Sequence, residues 1–510
     1  MQSFPSVEKN LKRYVEAGFP ILYIHTFEEA KTDRYIADAA SGKEILEWNG
    51  ADGFVNFKTK TPFNPSGQPL EATLERLKKG KELHRKLLVI KDIDGQWKTK
   101  EFDGQQGLDT VTAFLKEIAR KIRKEVINAT VVIVSPTLYI PEPLEKLTVV
   151  LELDFPDEEE IGKIIDRSVE TYGVPAVHPR LKEEMSSAFK GLSEFEIEDL
   201  LRFAISEEGE LNSTALQLIF DQKRQIILKA GILEMIPLKE SINDIGGLEN
   251  LKDWLQKKAK VFKNIREAKE FGVATPKGVL IAGVPGCGKS LSAKAAGKLF
   301  DVPLLRLDMG RLMGKYLGES EENMRKAIRL AEAISPCVLW VDELEKAFAG
   351  ISNGGKGAEV TTRLFGTFLT WMQEKDSAAF VVATANDITQ LPPELMRKGR
   401  FDEIFYVPLP NRDERRKIFE IHLNKRRPKD AGRIDIDKLV SQTDGYSGAD
   451  IEGVVGESIE NAFVKGSNEL STEDILDCIQ NTHSLSEIMK EPLEEMAKMY
   501  EDRKFKKASR

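Results

Sequence analysis

Short apolar runs alternate with amphipathic stretches along the second half of the chain. Five of these runs have the length and the Val, Ile and Leu content of buried strands. Because each run is apolar almost throughout and a helical stretch separates it from the next, the pattern predicts a parallel sheet covered on both faces. Beyond the last run the pattern is entirely helical, which predicts a small lid. The runs are KGVLIAG (277–283), VPLLRLD (302–308), CVLWVDE (337–343), AAFVVATAN (378–386) and IFYVPLP (404–410).

The first half of the chain repeats this layout in a less regular form. The helical segment at 189–205 also echoes the one at 443–459. Internal similarity of this kind predicts duplication of one α/β unit, and the alternative is that two unrelated α/β domains share a general pattern. The predicted strands of the first half are FPILYIHT (19–26), KLLVIKDID (86–94), NATVVIVSP (128–136) and KLTVVLELDFP (146–156).

Composition and charge narrow the class of protein. The 510 residues exceed what one core usually holds, so we expect two to four domains. A net charge of -8 argues against a surface built for nucleic acid and favours a protein partner. Three scattered cysteines fit neither a disulfide framework nor a metal site. Because we find no signal-peptide layout and no apolar run of about 20 residues, we expect an intracellular protein with no membrane partner, cytoplasmic or, in an alga, in the plastid stroma.

The segment GVPGCGKS (283–290) matches the phosphate-binding P-loop pattern GxxxxGK[ST] between a predicted strand and a predicted helix. Glycines there let backbone N–H groups surround a phosphate, Lys289 reaches the β and γ phosphates, and the Ser290 hydroxyl is a ligand for Mg²⁺. ATP and Mg²⁺ are therefore the predicted cofactors. The alternative is a turn without function. The predicted nucleotide contacts are Gly283, Pro285, Gly286, Cys287, Gly288, Lys289, Ser290 and Leu291.

Polar residues at the ends of later strands supply candidates for hydrolysis. Asp342 is predicted to hold Mg²⁺ and Glu343 to polarise the attacking water, although a strand entering a turn is the ordinary reading of such a pair. Asn386 can orient that water from the next strand. Arg397 and Arg400 lie beyond the following helix, where they would serve the ATP of a neighbouring subunit, unless they are solvated surface arginines.

The first half lacks these parts. It has no glycine between Pro20 and Ser41, so no P-loop follows its first predicted strand. Ile93 stands where the second half has Glu343, and Ser135 stands where it has Asn386. We therefore predict one hydrolysing site per chain.

The second half resembles the AAA clade of the AAA+ ATPases. The resemblance rests on DIGGLE (244–249), the P-loop, KYLGESEENMRKAIRLAE (315–332), the Asp-Glu strand, ATAN, RKGRFD (397–402) and GYSGAD (445–450). The full-length layout is similar to the hypothetical chloroplast reading frame AAA proteins of cyanobacteria and algal plastids. The resemblance implies a P-loop AAA+ module (a parallel sheet between helices, plus a helical lid) that follows a degenerate AAA-like α/β domain with its own lid.

The predicted domain boundaries follow from these patterns and the resemblance. They are a degenerate α/β domain (1–156), a helical lid-like segment (157–235), a linker (236–247), an ATPase large subdomain (248–410), its helical lid (411–490), and a C-terminal helix with a basic tail (491–510). Within this last segment, we expect the basic tail RKFKKASR (503–510) to be disordered and solvated.

The resemblance also assigns residues beyond the P-loop. It places Asp244, Ile245 and Gly246 on the adenine side, completed by His422, Gly448 and Ala449. It places Lys315, Tyr316, Leu317 and Gly318 in a pore loop that grips an extended polypeptide, with GISNGGKG (350–357) as a second loop.

Taken together, these assignments predict a homo-oligomeric ring, with a hexamer expected, that hydrolyses ATP to thread or remodel a protein substrate. An ATP-controlled regulatory scaffold and a nucleic-acid remodeller remain the alternatives.

Overall fold

The computed structural model describes residues 7–63, 68–93, 110–229, 231–312, 319–347, 356–389, 391–397 and 399–510. The chain forms two compact units. Unit 1 comprises residues 1–178 and 192–207, and unit 2 comprises residues 179–191 and 208–510. The second unit therefore takes up part of the segment that lies between the two predicted α/β domains.

Unit 1 is built around a six-stranded sheet of order β3-β2-β4-β5-β1-β6. Among the described strands of this sheet, β2 and β3 pair antiparallel, and the other neighbours are parallel. The strands are β1 (Ile21–His25), β2 (Glu44–Asn49), β3 (Gly53–Asn56), β4 (Lys86–Lys91), β5 (Ala129–Ser135) and β6 (Thr148–Glu152). The helices are α1 (Val7–Glu16), α2 (Glu29–Ala39), α3 (Leu70–Leu77), α4 (Thr110–Arg123), α5 (Glu142–Glu145), α6 (Glu158–Tyr172) and α8 (Glu194–Glu208). Helix α7 (Pro179–Phe189) lies between α6 and α8 along the chain but belongs to unit 2.

Unit 2 contains a seven-stranded sheet of order β13-β12-β8-β11-β10-β9-β7. Here β7 pairs antiparallel with β9 at one edge, while the remaining pairs are parallel. The strands are β7 (Leu233–Ile236), β8 (Gly278–Gly283), β9 (Leu304–Leu307), β10 (Cys337–Val341), β11 (Ala379–Ala385), β12 (Glu403–Val407) and β13 (Lys506–Lys507).

The helices of unit 2 cover both faces of this sheet and form the lid. Besides α7, those before the lid are α9 (Ser213–Lys229), α10 (Glu249–Lys263), α11 (Ile265–Glu270), α12 (Lys289–Phe300), α13 (Met309–Leu312), α14 (Glu319–Ile334) and α15 (Lys356–Glu374). Those of the lid and the C-terminal segment are α16 (Arg412–Arg426), α17 (Ile436–Ser441), α18 (Gly448–Val464), α19 (Thr472–Asn481), α20 (Leu485–Ile488) and α21 (Lys490–Asp502).

Alternation along the central strands explains why both faces of each sheet are covered. In β8, Leu280 belongs to one apolar cluster of unit 2, whereas its neighbours Val279 and Ile281 belong to the other. In unit 1, Leu88 and Val89 are divided in the same way between two clusters. Successive side chains of a strand point to opposite faces, so a strand that is apolar throughout must be buried on both. This is the parallel, two-sided sheet that the apolar runs predict.

The two sheets share one strand order. When the five central strands are numbered by their place along the chain within each unit, both sheets read 2-3-4-1-5: β2-β4-β5-β1-β6 in unit 1 and β9-β10-β11-β8-β12 in unit 2. Each sheet also carries one antiparallel strand at the same edge, β3 in unit 1 and β7 in unit 2. The predicted fold class, an AAA+ module with a helical lid after a related α/β domain, is confirmed.

The segment between the α/β domains contributes to unit 2. In α9, the ammonium of Lys223 is buried and donates a hydrogen bond of 2.7 Å to the carbonyl oxygen of Ala188 at the end of α7. The Lys190 ammonium donates to the Ser335 carbonyl oxygen at 3.2 Å, and Leu233–Ile236 forms β7. The predicted domain boundaries stay predictions, but part of the segment assigned to the lid and linker lies in the second sheet and its flanking helices.

The basic tail is ordered, so the expectation that it is disordered and solvated is wrong. Residues 506 and 507 form β13 beside β12, and the Ala508 N–H donates a hydrogen bond of 2.8 Å to the carbonyl oxygen of Tyr406. Ala508 is fully buried, and the Arg510 guanidinium pairs with Asp253 at 2.8 Å. Composition alone misled the prediction because backbone pairing at a sheet edge does not depend on side-chain polarity. Among the residues that the structure describes, no helix combines the length and apolar character needed to cross a lipid bilayer.

Candidate nucleotide site

The P-loop (residues 283–290) joins β8 to α12, and its glycines are required by close approaches of the backbone. A Cβ on Gly283 would lie 2.2 Å from the carbonyl oxygen of Val407 in β12. Gly286 and Gly288 have φ angles of +74° and +86°, which residues with a side chain rarely adopt. The loop therefore turns sharply, and its N–H groups precede the start of a helix of 12 residues. Such an arrangement favours an anionic ligand.

Lys289 occupies the first turn of α12. Its ammonium donates hydrogen bonds to the carbonyl oxygens of Gly283 at 2.9 Å and Val284 at 2.8 Å. Burial lowers the pKa of Lys289 to about 8. Within the described part of the chain, the hydrogen bonds of this buried ammonium go to carbonyl oxygens, so a phosphate group beside it would stabilise its charge.

Ser290 and Asp342 meet at the point where the sequence predicts a metal ion. The Ser290 hydroxyl donates to Asp342 Oδ1 at 3.2 Å, and the Thr384 hydroxyl donates to the same oxygen at 2.5 Å. Thr384 also accepts a hydrogen bond of 3.1 Å from the backbone N–H of Glu343. Sequence reasoning did not single out Thr384, although it lies within the ATAN string that was read for Asn386.

The oxygen donors fit Mg²⁺. Magnesium is usually bound through one or two carboxylates, with water and phosphate oxygens completing its coordination. One hydroxyl and one carboxylate, from Ser290 and Asp342, match that requirement. Among the described residues we find no cluster of three or more His, Cys, Asp or Glu side chains that could hold a metal ion without a ligand's help.

Glu343 has an unusual backbone conformation. Its φ angle is +50°, in the left-handed region that costs a residue with a side chain about 1–3 kcal/mol. The carboxylate pairs with the Lys346 ammonium at 2.6 Å, and both side chains are substantially exposed. The turn thus presents the carboxylate at the carboxyl edge of the sheet.

Asn386 follows β11 at the same edge. Its backbone N–H donates a hydrogen bond of 3.0 Å to Glu345 Oε1. Glu345 is buried, and this burial raises the pKa of its carboxyl group. Glu345 is a second residue that sequence reasoning missed, because only the fold brings the turn after β10 against the end of β11.

The lid contacts the P-loop directly. The Ala449 N–H donates a hydrogen bond of 2.9 Å to the carbonyl oxygen of Gly286, and a Cβ on Gly448 would lie 3.0 Å from that same oxygen. Helix α18 begins here because Ser447 caps it: the Ser447 hydroxyl accepts from the Asp450 N–H at 3.2 Å. Burial beneath this contact raises the pKa of the Cys287 thiol to about 11.

The opposite wall comes from the segment before α10 and from α16. A Cβ on Gly246 would lie 2.4 Å from the Ile418 side chain, so the two segments are in close contact. The Asp244 carboxylate accepts hydrogen bonds from the backbone N–H and the hydroxyl of Ser241, which lower its pKa. His422 Nδ1 is buried without a hydrogen-bond partner among the described residues, and burial lowers the pKa of this histidine.

These walls enclose a cavity of about 510 Å³. Other residues that sequence reasoning did not name also line it, among them Ile421, Lys425 and Glu452. Of the predicted nucleotide, metal and water-orienting residues, the following line the cavity: Asp244, Ile245, Gly246, Pro285, Gly286, Cys287, Gly288, Lys289, Ser290, Leu291, Asp342, Glu343, Asn386, His422, Gly448 and Ala449.

Three predicted site residues lie away from the cavity. Gly283 instead packs its backbone against β12. Arg397 is exposed, and the half-buried Arg400 donates a hydrogen bond to the carbonyl oxygen of Glu394. The predicted pore-loop residues Lys315, Tyr316, Leu317 and Gly318, and most of the second loop at 350–357, fall outside the described residues.

Comparison with known families locates the same parts. Residues 279–409 match the ATPase family associated with various cellular activities (AAA), and residues 433–477 match the AAA+ lid domain. Residues 7–153 and 159–230 match the N-terminal and second domains of SpoVK-like AAA ATPases. An AAA domain-containing protein ycf46 of Guillardia theta is 38% identical over 97% of this chain and 94% of its own length. The chain belongs to the ycf46 family of AAA ATPases.

Other relatives extend the comparison. The ycf46 protein of Pyropia yezoensis is 36% identical over 98% of this chain and 99% of its own length. A proteasome-activating nucleotidase of Aeropyrum pernix is 33% identical, over 50% of this chain and 62% of its own length. The similarity to ycf46 proteins thus covers both units, whereas the similarity to the nucleotidase covers about half of the chain.

Proposed function

We propose that this ycf46-family ATPase binds Mg-ATP in the cavity of unit 2 and hydrolyses it at the carboxyl edge of the sheet. The observation that carries this proposal is the convergence of four separate segments on one cavity: the P-loop, the Asp342–Glu343 turn, Asn386 and the lid. Phosphoryl transfer needs positioned charges and an oriented water more than covalent chemistry, and these four segments supply such groups.

Each segment has a distinct part in this proposal. The P-loop N–H groups bind the phosphates, and Lys289 leaves its two carbonyl partners to contact the β and γ phosphates. Ser290 and Asp342 would hold Mg²⁺, which shields phosphate charge when bound. Glu343 polarises the attacking water, and Asn386 orients it.

The adenine side follows from the opposite wall. Burial keeps His422 neutral near pH 7, so its ring can accept or donate a hydrogen bond to a base without a charge to desolvate. The backbone of Ile245 and Gly246 lies in the same wall. Because the Asp244 carboxylate is already bonded to Ser241, we assign to Asp244 its backbone rather than its carboxylate as the nucleotide contact.

We further propose that the site is completed in a ring. Arg397 and Arg400 do not line the cavity of their own chain. A γ phosphate that they contact would therefore belong to the ATP bound by a neighbouring copy. An arginine supplied in trans stabilises the charge that develops during phosphoryl transfer. Ring symmetry would repeat this contact at each interface.

The proposed output is threading or remodelling of a protein through the central pore of that ring. Support comes from family membership and from the similarity to a relative named as proteasome-activating. Tyr316 would grip the polypeptide with its broad amphipathic ring.

Two variants test the two parts of this proposal separately. In Glu343→Gln, ATP should still bind at about one molecule per chain, while steady-state hydrolysis falls at least about a hundredfold. In Tyr316→Ala, hydrolysis should persist while unfolding of a tagged model protein is lost. Undiminished unfolding in Tyr316→Ala would contradict threading, and a Glu343→Gln protein that hydrolyses ATP normally would contradict the catalytic assignment.

A further inference from the structure

Among the residues that the structure describes, seven buried side-chain polar atoms of unit 2 lack a hydrogen-bond partner, and two of these belong to side chains that interact electrostatically with each other. They are the hydroxyl oxygen of Tyr500, in α21, and Oε2 of Glu345, in the turn after β10. Tyr500 is 1% exposed and Glu345 is 6% exposed. Buried polar atoms are nearly always paired in folded proteins, so an unpaired donor and an unpaired acceptor on two interacting side chains require an explanation.

The Glu345 end of this pair reaches the candidate catalytic edge. Its other oxygen, Oε1, accepts the hydrogen bond of 3.0 Å from the backbone N–H of Asn386. Glu345 also lies two residues beyond Glu343 in the same turn. A shift of the Glu345 carboxylate would therefore move Asn386 relative to Glu343.

The Tyr500 end belongs to the same side of the sheet. Its ring stacks on Tyr406 of β12, with ring centroids 4.1 Å apart and planes inclined by 18°. Tyr500 shares one apolar cluster with Leu344 and Ile388. Leu344 is the residue before Glu345, and Ile388 is the residue after Asp387. Burial raises the pKa of Tyr500, and the carboxylates of Asp387 and Glu345 contribute to that rise, so the phenol remains a donor.

The C-terminal segment holds Tyr500 in this position from both sides. Helix α20 continues from the lid into α21, and β13 follows Tyr500 and pairs with β12. Because Ala508 bonds to the carbonyl oxygen of Tyr406, the residue under the Tyr500 ring is itself fixed by the tail.

We propose that Tyr500 is a positioning residue whose hydroxyl donates a hydrogen bond, through one water molecule, to Oε2 of Glu345. Through Glu345 it fixes Asn386 against Glu343, so the C-terminal segment contributes to the ATPase site without touching the nucleotide. A buried carboxylate that accepts one hydrogen bond at each oxygen is held in a single orientation. This inference rests on the proposed function, because it takes Asn386 and Glu343 to be catalytic.

The main test is Tyr500→Phe, which removes the hydroxyl and keeps the stacked ring. We expect kcat for ATP to fall about three- to tenfold while KM changes less than about twofold, since Tyr500 does not contact the nucleotide. The matched control is Tyr406→Phe, which removes the other hydroxyl of the stack and should leave both constants unchanged. A Tyr500→Phe protein with the kcat of the wild type would overturn the proposal.

A double-mutant cycle separates a specific hydrogen bond from general damage. Glu345→Gln alone should also lower kcat, and adding Tyr500→Phe to it should cause no further loss, because the acceptor is already changed. Losses that multiply would show independent effects and overturn the pairing.

The same cycle measured on unfolding distinguishes this inference from the proposed function. If the wild-type protein has no ATPase activity, the proposed function fails, yet non-additive unfolding midpoints for the two substitutions would still demonstrate the Tyr500–Glu345 hydrogen bond. Additive unfolding midpoints together with additive losses of kcat would contradict the Tyr500–Glu345 hydrogen bond and would not affect the proposed ATPase function.

Discussion

The backbone N–H of Ala449 donates a hydrogen bond of 2.9 Å to the carbonyl oxygen of Gly286, which joins the first turn of a lid helix to the P-loop. The loop and the lid therefore close on each other without a side chain of either residue taking part. A side chain at Gly286 would disturb this contact, since its Cβ would lie 2.9 Å from that of Ala449.

We predict that Gly286→Ala weakens nucleotide binding at least about tenfold, because the added methyl group meets the lid and the left-handed backbone becomes strained. Titration with a fluorescent ADP analogue measures the change. Gly453→Ala is the matched control, since a Cβ at Gly453 in the same lid helix meets no atom within 4 Å. That variant should bind nucleotide normally, and equal affinity of Gly286→Ala and wild type would contradict the lid contact.

Lys223 predicts a dependence of stability on pH. Burial lowers its pKa to about 7 from the usual 10.5, so between these values the unfolded chain binds a proton that the folded chain does not. The contribution of Lys223 to the free energy of unfolding therefore rises as pH increases from 7 towards 10.5. We expect Lys223→Met to raise the melting temperature at pH 7, by roughly 2–4 °C for each kcal/mol gained. Between pH 7 and 9, the melting temperature of this variant should increase less than that of the wild type.

The control for this prediction is Lys229→Met, an exposed position in the same helix. It should leave both the melting temperature and its pH dependence close to those of the wild type. A Lys223→Met protein that melts well below the wild type at pH 7 would mean that the hydrogen bond to Ala188 outweighs the cost of burying the ammonium.

Because the tail is ordered, we predict that a substitution at Ala508 lowers the free energy of unfolding, although Ala508 lies in a short basic segment at the C-terminus. Ala508 is fully buried beside β12, so Ala508→Glu would place a carboxylate among apolar side chains of α10 and the sheet. We expect a loss of at least about 2 kcal/mol in the free energy of unfolding by urea. Lys507→Ala, at an exposed position one residue earlier, should change it by less than about 0.5 kcal/mol; equal effects would contradict docking of the tail.

Most of the strands that the sequence predicted lie inside a sheet, whereas β6 is an edge strand whose Val150 is exposed. Continuous apolar runs mark the central parallel strands of both units, because such strands contact helices on either side. The four strands that were missed lie at or near sheet edges, and three of them, β2, β7 and β13, carry charged residues. In β2, Glu47 is buried only because Lys91 and Lys60 pair with it, and β13 consists of two lysines. Local patterns do not reveal charges that are neutralised by tertiary contacts.

Some residues of the candidate site could be predicted from the sequence, and others could not. The P-loop, Asp342, Glu343 and Asn386, which line one cavity, could be predicted because the proposed chemistry requires particular residue types at particular strand ends. Thr384 and Glu345 were missed because their roles depend on which strand lies beside which. The hydroxyl of Thr384 reaches Asp342 only because β10 and β11 are neighbours in the sheet.

The central claim is that a catalytic site in one chain is completed by an arginine from the next. Mixing two inactive proteins tests it most directly. Glu343→Gln lacks its own water-polarising carboxylate but retains both arginines, and the double variant Arg397→Ala with Arg400→Ala has the opposite defect.

In a randomly mixed 1:1 ring, about a quarter of the sites pair an intact Glu343 with an intact neighbouring arginine, so ATPase activity should rise to about a quarter of the wild-type rate. Each variant alone should stay near background. A mixture no more active than its two components, under conditions in which mixed assemblies are demonstrated, would contradict a site shared between neighbouring chains.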